Sequence, residues 1–131
     1  MYSEIVLEEF NNPHRRGPLE GADAQGQAGM PGEGPYTSIW LKMDRGRIAQ
    51  TSFDTYGCPA ATSTASWLTR WAEGKTVEQA SVITAPMLIQ VLGGLPLAKE
   101  HTAYLAVKAL QAALRALEET PAARLEEGAR T

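Results

Sequence analysis

Apolar and polar positions follow a helical period at both ends of this chain and a strand-like period between them. In the first twelve residues, the positions at helical spacing are Ile5, Val6, Glu9 and Phe10, and Ser3 occupies an N-cap position. The sequence NNP at 11–13 then ends the pattern. The pattern predicts a short amphipathic helix at the N-terminus.

A loop and a β-hairpin follow this helix. Glycine and proline recur too densely between residues 17 and 35 for a helix, so we predict a loop there, with a short strand near residues 25–30. Residues 36–43 are rich in β-branched and aromatic side chains, and residues 47–56 alternate apolar with polar ones after the turn DRG. A tight turn fixes the register of the two strands and brings the end of the second strand to one edge of the sheet.

The only cysteine, Cys58, introduces the helical second half of the chain. Pro59 suits the first position of a helix, because its missing N–H would have no partner there, and the pattern continues to Gly74. Cys58 is therefore predicted as the N-cap of this helix. We expect the buried face of the helix to carry Trp67, Leu68 and Trp71.

Two short helices and one long helix complete the pattern. Thr76 with Glu78 or Gln79 indicates a capped short helix, and a second one from Thr84 ends at the glycines 93–94. The long amphipathic helix has an apolar stripe at Ala103, Val107, Leu110, Leu114 and Leu117. A hairpin followed by helices predicts an α+β fold, in which helices pack on one face of a small antiparallel sheet of about three strands.

Length and composition limit the number of domains and the class of protein. At 131 residues the chain is expected to form one domain, residues 1–120, with a charged, frayed tail at 121–131. A single cysteine cannot form an intramolecular disulfide, so nothing indicates an oxidising compartment. The N-terminus carries glutamates instead of the positive charge of a signal peptide, and no stretch reaches the ~20 apolar residues of a membrane span. We expect a soluble, cytoplasmic protein with no membrane partner.

The charge balance argues against nucleic acid as a partner. Lysine and arginine number 12 against 15 aspartates and glutamates, and the net charge of -3 gives no general attraction to a phosphate backbone. The one basic cluster, His14, Arg15 and Arg16, stands between a proline and a glycine. We interpret it as a solvated turn without a chemical role.

The order of these segments and their sequences resembles the IscU/NifU N-terminal family, the scaffolds of iron–sulfur cluster assembly. The similar stretches are YSEIVLEEFNNP, the Gly-Pro loop, FDTYGCPAATSTASWLT, GKTVEQA, LGGLPLAKEH and the alanine-rich last helix, which together cover about residues 2–115. The resemblance implies the scaffold fold and a non-enzymatic role. It also implies a cysteine desulfurase and other assembly proteins as partners.

The family builds its metal or cluster site from three cysteines, an aspartate and a histidine. By resemblance, Cys58 matches the second cysteine and His101 matches the histidine. Glu33 stands at the first cysteine position, Pro35 at the aspartate and Thr102 at the third cysteine. The resemblance therefore implies that Cys58 and His101 bind the cofactor, with Glu33 as a third metal ligand.

The stretch LPLAK is similar to the Leu-Pro-Pro-x-Lys element that the family presents to its dedicated chaperone. Leu95, Pro96 and Lys99 match that element, and Leu97 replaces its second proline. The resemblance implies a chaperone contact at Leu95, Pro96 and Lys99, whereas Leu97 departs from the family element.

The departures from the family pattern change the expected chemistry. Iron–sulfur clusters are held mainly by thiolates, usually four, so one thiolate per chain is too few for cluster assembly on a monomer. Two copies that share Cys58 and His101 would offer a mixed thiolate and imidazole site. Within one chain, Glu33, Cys58 and His101 would offer zinc a carboxylate, a thiolate and an imidazole, with water in the fourth place.

Three other interpretations of these residues stay open. A helix N-terminus lowers the pKa of a thiol, so Cys58 is also a candidate acceptor of persulfide sulfur from the desulfurase. The protein is alternatively a metal-free adaptor or regulatory partner of the desulfurase, with Cys58 packed as a small apolar residue and His101 bonded to backbone. A hydrolase triad of Cys58, His101 and Glu33 has no further support in the sequence.

Overall fold

The computed structural model describes residues 2–119, which contain five α-helices and three β-strands. A short 3-10 turn at Leu97–Lys99 precedes the last helix. The elements are α1 (Glu4–Asn11), β1 (Ala24–Gly29), β2 (Tyr36–Asp44), β3 (Arg47–Tyr56), α2 (Pro59–Ala72), α3 (Val77–Ser81), α4 (Ala85–Val91) and α5 (His101–Glu119). None of these helices is long and apolar enough to cross a membrane. The predicted tail at 121–131 lies outside the described residues.

The three strands form one antiparallel sheet in the order β1, β2, β3. The register places Gly26 opposite Ile39, and Ile39 opposite Phe53, and shifts between Lys42 and Met43. Helix α2 packs on β3, while α5 packs on β1 and β2. The predicted α+β fold with a three-stranded antiparallel sheet is confirmed, and the strand predicted near residues 25–30 is β1.

The hydrophobic core lies between the sheet and the helices α2, α4 and α5. Its largest fully buried side chains are Phe53, Ile39, Leu41, Ile48, Leu68, Leu88, Leu92 and Leu110. The five residues of the stripe predicted for α5 are all buried, which confirms that interpretation. A helix with such a stripe packs its apolar side on the sheet and leaves its polar side in water.

Gly26 allows α5 to lie directly on β1. A Cβ atom at this position would stand 2.1 Å from the carbonyl oxygen of Ala109 and 2.2 Å from the backbone nitrogen of Ala113. Real side chains do not fit such a gap, so glycine is needed here to let two backbones approach each other. This contact fixes the height of α5 above the sheet.

Helix α1 confirms its predicted cap, and its predicted face is confirmed at Val6 and Glu9 but not at Ile5 and Phe10. The backbone N–H of Val6 donates to the Ser3 hydroxyl at 3.1 Å. The buried side chains of the helix are Val6 and Glu9, whereas Phe10 is half-exposed. A carboxylate has thus taken a place on the inner face of this helix.

Helix α2 begins after Cys58 as predicted, but its buried face differs from the expected one. Leu68 is fully buried, whereas Trp67 and Trp71 are only partly buried and stack on each other with ring centroids 6.3 Å apart. Apart from Leu68, the buried residues of this helix are small, namely Ala60, Ala61, Thr62, Ser63, Thr64, Ala65, Ser66, Thr69 and Ala72. Small residues let the helix approach β3 and α5 closely, and this requirement overrides the preference of large apolar residues for the core.

The N-terminal basic cluster is not the predicted solvated turn. Its backbone runs along the outer edge of β3, where the Phe53 N–H donates to the Arg15 carbonyl at 3.1 Å and the Gly17 N–H donates to the Phe53 carbonyl at 2.7 Å. The ring of His14 is largely buried, with Nε2 2.8 Å from Oε2 of Glu73. The prediction was wrong because Phe53 and Glu73 lie far from the cluster in sequence, and a local sequence pattern carries no information about contacts with them.

Candidate functional site

Cys58 lies in the turn between β3 and α2. The strand ends at Tyr56, and Gly57 takes a φ of +147°, which favours glycine over other residues. Cys58 itself is extended, with φ -88° and ψ 175°, as expected of a residue that precedes a helix. The predicted N-cap position is confirmed. The cysteine is partly exposed at the positive end of the helix dipole.

The surroundings of Cys58 favour its thiolate. Burial by itself raises the pKa of the Cys58 thiol, because it disfavours the charged form. The backbone N–H groups of Ala61 and Ala60 and the charge of Lys99 lower this pKa, and the net value lies below the ordinary one. A larger share of Cys58 is therefore ionised near neutral pH than in a free cysteine.

Lys99 is a residue of this site that sequence reasoning assigned only to chaperone binding. It closes the 3-10 turn before α5, and its ammonium acts on the Cys58 thiol through space. Leu97 in the same turn is 84% exposed. The chaperone contact at Leu95, Pro96 and Lys99 stays a prediction.

His101 is the first residue of α5 and is exposed. Its Nδ1 atom lies 3.1 Å from the carbonyl oxygen of Ala98, which orients the ring against the preceding turn. Its Nε2 atom makes no hydrogen bond with residues 2–119, so this nitrogen is available to a ligand. The backbone contact that the sequence suggested for His101 is thus present, and it leaves half of the imidazole free.

Thr102, which the resemblance places at a cysteine position, is buried. Its hydroxyl donates to the Lys99 carbonyl at 2.7 Å, and the Thr64 hydroxyl donates to the Thr102 carbonyl at 3.4 Å. These bonds tie the start of α5 to the Lys99 turn and to α2. The hydroxyl of Thr102 is therefore engaged in holding the helix in place.

Glu33 lies in the exposed loop between β1 and β2. Its N–H donates to the Met30 carbonyl at 3.1 Å, which closes a turn. Gly32 and Gly34 on either side have φ values of +88° and +118°. The Glu33 side chain is exposed to solvent in this turn.

The predicted ligands are not assembled into a metal site. Across residues 2–119, no three histidine, cysteine, aspartate or glutamate side chains are grouped closely enough to hold one metal ion. Glu33, Cys58 and His101 stay predicted ligands.

A stacked pair of tyrosines borders the Cys58 turn. Tyr36 and Tyr56 stand opposite each other in the register of β2 and β3, with ring centroids 6.4 Å apart and ring planes 9° apart. Tyr56 is 65% exposed and lies two residues before Cys58. The sequence predicted both strands but not this pair, because only the register of the hairpin brings the two rings together.

Residues 1–123 match the family described as NifU-like N terminal domain. The match covers nearly all of the 131 residues of the chain. The chain belongs to this family. The family assignment confirms the resemblance read from the sequence, and the NifU-like domain described here carries one cysteine.

Named relatives of this NifU-like domain are iron–sulfur cluster assembly scaffold proteins. IscU 1 of Archaeoglobus fulgidus is 42% identical over 114 residues, which cover 87% of this chain and 74% of the relative. IscU of Haemophilus influenzae is 35% identical over 117 residues, which cover 86% of this chain and 92% of the relative.

Solved structures share the fold of this NifU-like domain. The N-terminal NifU-like protein from Brucella abortus has a TM-score of 0.69 at 20% identity, over 90% of this chain and 94% of that one. A scaffold protein for the SUF system from Fervidobacterium islandicum has a TM-score of 0.65 at 18% identity, over 86% of this chain and 96% of that one. These likenesses confirm the α+β architecture.

Proposed function

We propose that this protein serves iron–sulfur cluster assembly as a scaffold-type protein with an altered set of ligands. Relatives 32–42% identical to it are named as scaffolds of this process. The observation that carries the proposal is the position of Cys58, a thiol with a lowered pKa at the N-terminus of α2 in an intact family fold. Such a thiolate can bind metal or accept sulfur.

The donors of one chain do not fit a complete cluster. Clusters are held mainly by thiolates, usually four, and this chain supplies one. Cys58, with the free Nε2 of His101 and with Glu33, would contribute to a zinc or cluster site only together with other donors, for which a second copy of the chain is the simplest source.

The lowered pKa of Cys58 favours a second role, that of a sulfur acceptor. In this step the Cys58 thiolate attacks the outer sulfur of a cysteine persulfide on the partner, a cysteine desulfurase. The sulfur–sulfur bond of the partner breaks, its cysteine leaves as a thiolate, and Cys58 becomes the persulfide. One sulfur atom moves and charge is conserved, so the step needs no further oxidant or reductant.

Elemental analysis tests the metal-binding role. Iron, zinc and acid-labile sulfide are measured per chain in anaerobically purified protein, for the wild type and for Cys58→Ala and His101→Ala. The proposal expects metal in the wild type that both substitutions remove, whereas Glu100→Ala, beside His101 in sequence, serves as a control that retains it. Tight metal binding that survives both substitutions would rule out the assigned ligands.

Mass spectrometry tests the acceptor role. After incubation with a cysteine desulfurase and cysteine, the wild-type chain should gain the mass of one sulfur atom, and this gain should be reversed by a thiol reductant. Cys58→Ala should show no gain. Protein that carries neither metal nor sulfur but still binds the desulfurase would leave the metal-free adaptor as the function.

A further inference from the structure

A second group of titratable side chains lies apart from the Cys58 turn and centres on one oxygen atom, Oε2 of Glu73. This atom lies 2.8 Å from Nε2 of His14 and 3.3 Å from Nη1 of Arg15. It also accepts hydrogen bonds from Thr51, at 2.9 Å from the backbone N–H and at 3.2 Å from the hydroxyl. One carboxylate therefore joins the end of α2, the strand β3 and the N-terminal segment.

Buried polar side chains take part in the attachment of α1 to α2. Val6 is the fully buried apolar side chain of α1, and its carbonyl accepts the Ser63 hydroxyl at 2.7 Å. The carboxylate of Glu9 accepts the Ser66 hydroxyl at 2.6 Å and lies 3.4 Å from Nη2 of Arg70. Apolar burial supplies most of the stability of a docked element, and α1 contributes one fully buried apolar side chain, so we expect α1 to open more readily than the helices of the core.

The segment that follows α1 reaches the Cys58 turn through Arg16. The Arg16 guanidinium donates to the Thr55 carbonyl at 3.1 Å and to the Thr62 hydroxyl at 3.4 Å, and it lies 3.6 Å from Asp54. Thr55 stands three residues before Cys58, and Thr62 stands four residues after it. Arg16 thus bridges the two sides of the turn that presents the thiol.

We propose that residues 3–17, which we call the N-terminal strap, open and close as one unit that Glu73 latches, and that opening loosens the turn at Cys58. The latch is polar, since the ring of His14 and the guanidinium of Arg15 face the Glu73 carboxylate from the strap. Arg70 faces Glu9, and Asp54 faces Arg16, in the same way. The neighbouring cation, Lys75, is held over the ring of Trp71 instead.

Salt and acid are expected to open the strap before the core unfolds. Salt screens ion pairs near the surface and so weakens them. Acid removes them, because a protonated carboxyl group carries no charge. The pKa of Glu73 lies below the ordinary carboxyl value, so its latch holds at neutral pH and fails as the pH falls through that lowered value. The core, built from apolar contacts, does not share this dependence.

Backbone amide exchange of the full chain tests the latch at neutral pH. In Glu73→Gln and in His14→Gln, the amides of residues 6–11 and the Phe53 amide, which donates to the strap, should exchange roughly tenfold faster than in the wild type. Amides of the middle of α5 should keep their rates. Glu78→Gln removes an exposed carboxylate on α3 and serves as the matched control.

Labelling of the single cysteine tests the link to the site. The rate at which an uncharged maleimide modifies Cys58 should rise severalfold in Glu73→Gln and in Arg16→Gln and stay unchanged in Glu78→Gln. Wild-type exchange rates for the strap in both latch variants would overturn the proposal, and so would an open strap with unchanged labelling of Cys58. If Glu73→Gln also accelerates exchange in α5, this substitution has weakened the whole fold. The opening of the strap is then judged from His14→Gln, which leaves the bonds between Glu73 and Thr51 in place.

Discussion

The backbone N–H of Thr51 donates to Oε2 of Glu73 at 2.9 Å, so that β3 is bonded to the residue that ends α2. Burial by itself raises the pKa of the Glu73 carboxyl. The Thr51 N–H and the ring of His14 lower it further than burial raises it, and the net pKa lies below the ordinary value. The ionised form of Glu73 therefore stabilises the fold.

Glu73 should make part of the stability depend on pH. Its pKa is lower in the folded chain than in the unfolded one, so its contribution is present above the ordinary carboxyl pKa and is lost as the pH falls through the folded value. Glu73→Gln should lower the free energy of unfolding at neutral pH by about 1 kcal/mol. Urea titrations of both proteins near pH 7 and at about pH 3 check this, because the difference should shrink in acid. An equal difference at both pH values would contradict it.

Lys99 should contribute to the ionisation of Cys58, beside the backbone N–H groups of Ala61 and Ala60. Removing its charge in Lys99→Gln should raise the pKa of the thiol, and added salt should also raise the pKa of the wild-type thiol. The absorbance of the thiolate, followed against pH, reports on this one thiol. Lys108→Gln removes an exposed charge from α5 and should leave the titration unchanged. A titration that Lys99→Gln does not move would place the cause of the lowered pKa in the helix N-terminus alone.

Gly26→Ala should destabilise the fold severely. The added Cβ would overlap the backbone of α5 at Ala109 and Ala113, and a backbone cannot yield as a flexible side chain can. The free energy of unfolding should fall by about 3 kcal/mol or more, or the protein should fail to fold. Gln25→Ala, at an exposed position of the same strand, should change it by less than about 0.5 kcal/mol. Thermal unfolding of the two variants distinguishes a steric cause from a general weakness of β1.

Two leucines offer a matched test of the core. Leu110 is fully buried in α5, whereas Leu97 is 84% exposed in the turn before it. Leu110→Ala should cost about 2–5 kcal/mol in the free energy of unfolding, because it leaves a cavity under the helix. Leu97→Ala should cost close to nothing in stability. Denaturant midpoints of the two variants, measured side by side, provide the check.

The parts of the fold that were predictable are those in which a local pattern and the final environment agree. The stripe of α5 faces one continuous core, so its spacing in the sequence is also its burial in the structure. The Cys58 cap was predictable because Pro59 marks the start of a helix by its own chemistry. The resemblance to a family added the expectation of a site around that cap.

The buried face of α2, the partner of His14 and the position of Glu33 were not predictable, because they depend on contacts between distant parts of the chain. Trp67 and Trp71 have the spacing of a core face, but they pack only partly buried against the core, and the fully covered positions of α2 are taken mostly by small side chains. His14 contacts Glu73, which lies 59 positions later in the sequence, so no local sequence window contains both residues. Glu33 stands in a loop whose path no periodic pattern determines, so its distance from Cys58 was open.

The contact between Gly26 and α5 also limits how the sheet can be extended. Within residues 2–119, β1 is an edge strand with β2 on one side only. Helix α5 touches this strand at Gly26 and also packs on β2. A second copy that paired its own β1 here in the antiparallel sense would carry its α5 on the same face of the sheet, and packed helices stand about 8–10 Å apart whereas neighbouring strands stand about 4.8 Å apart. Extension of the sheet at this edge therefore needs room for two helices above two neighbouring strands.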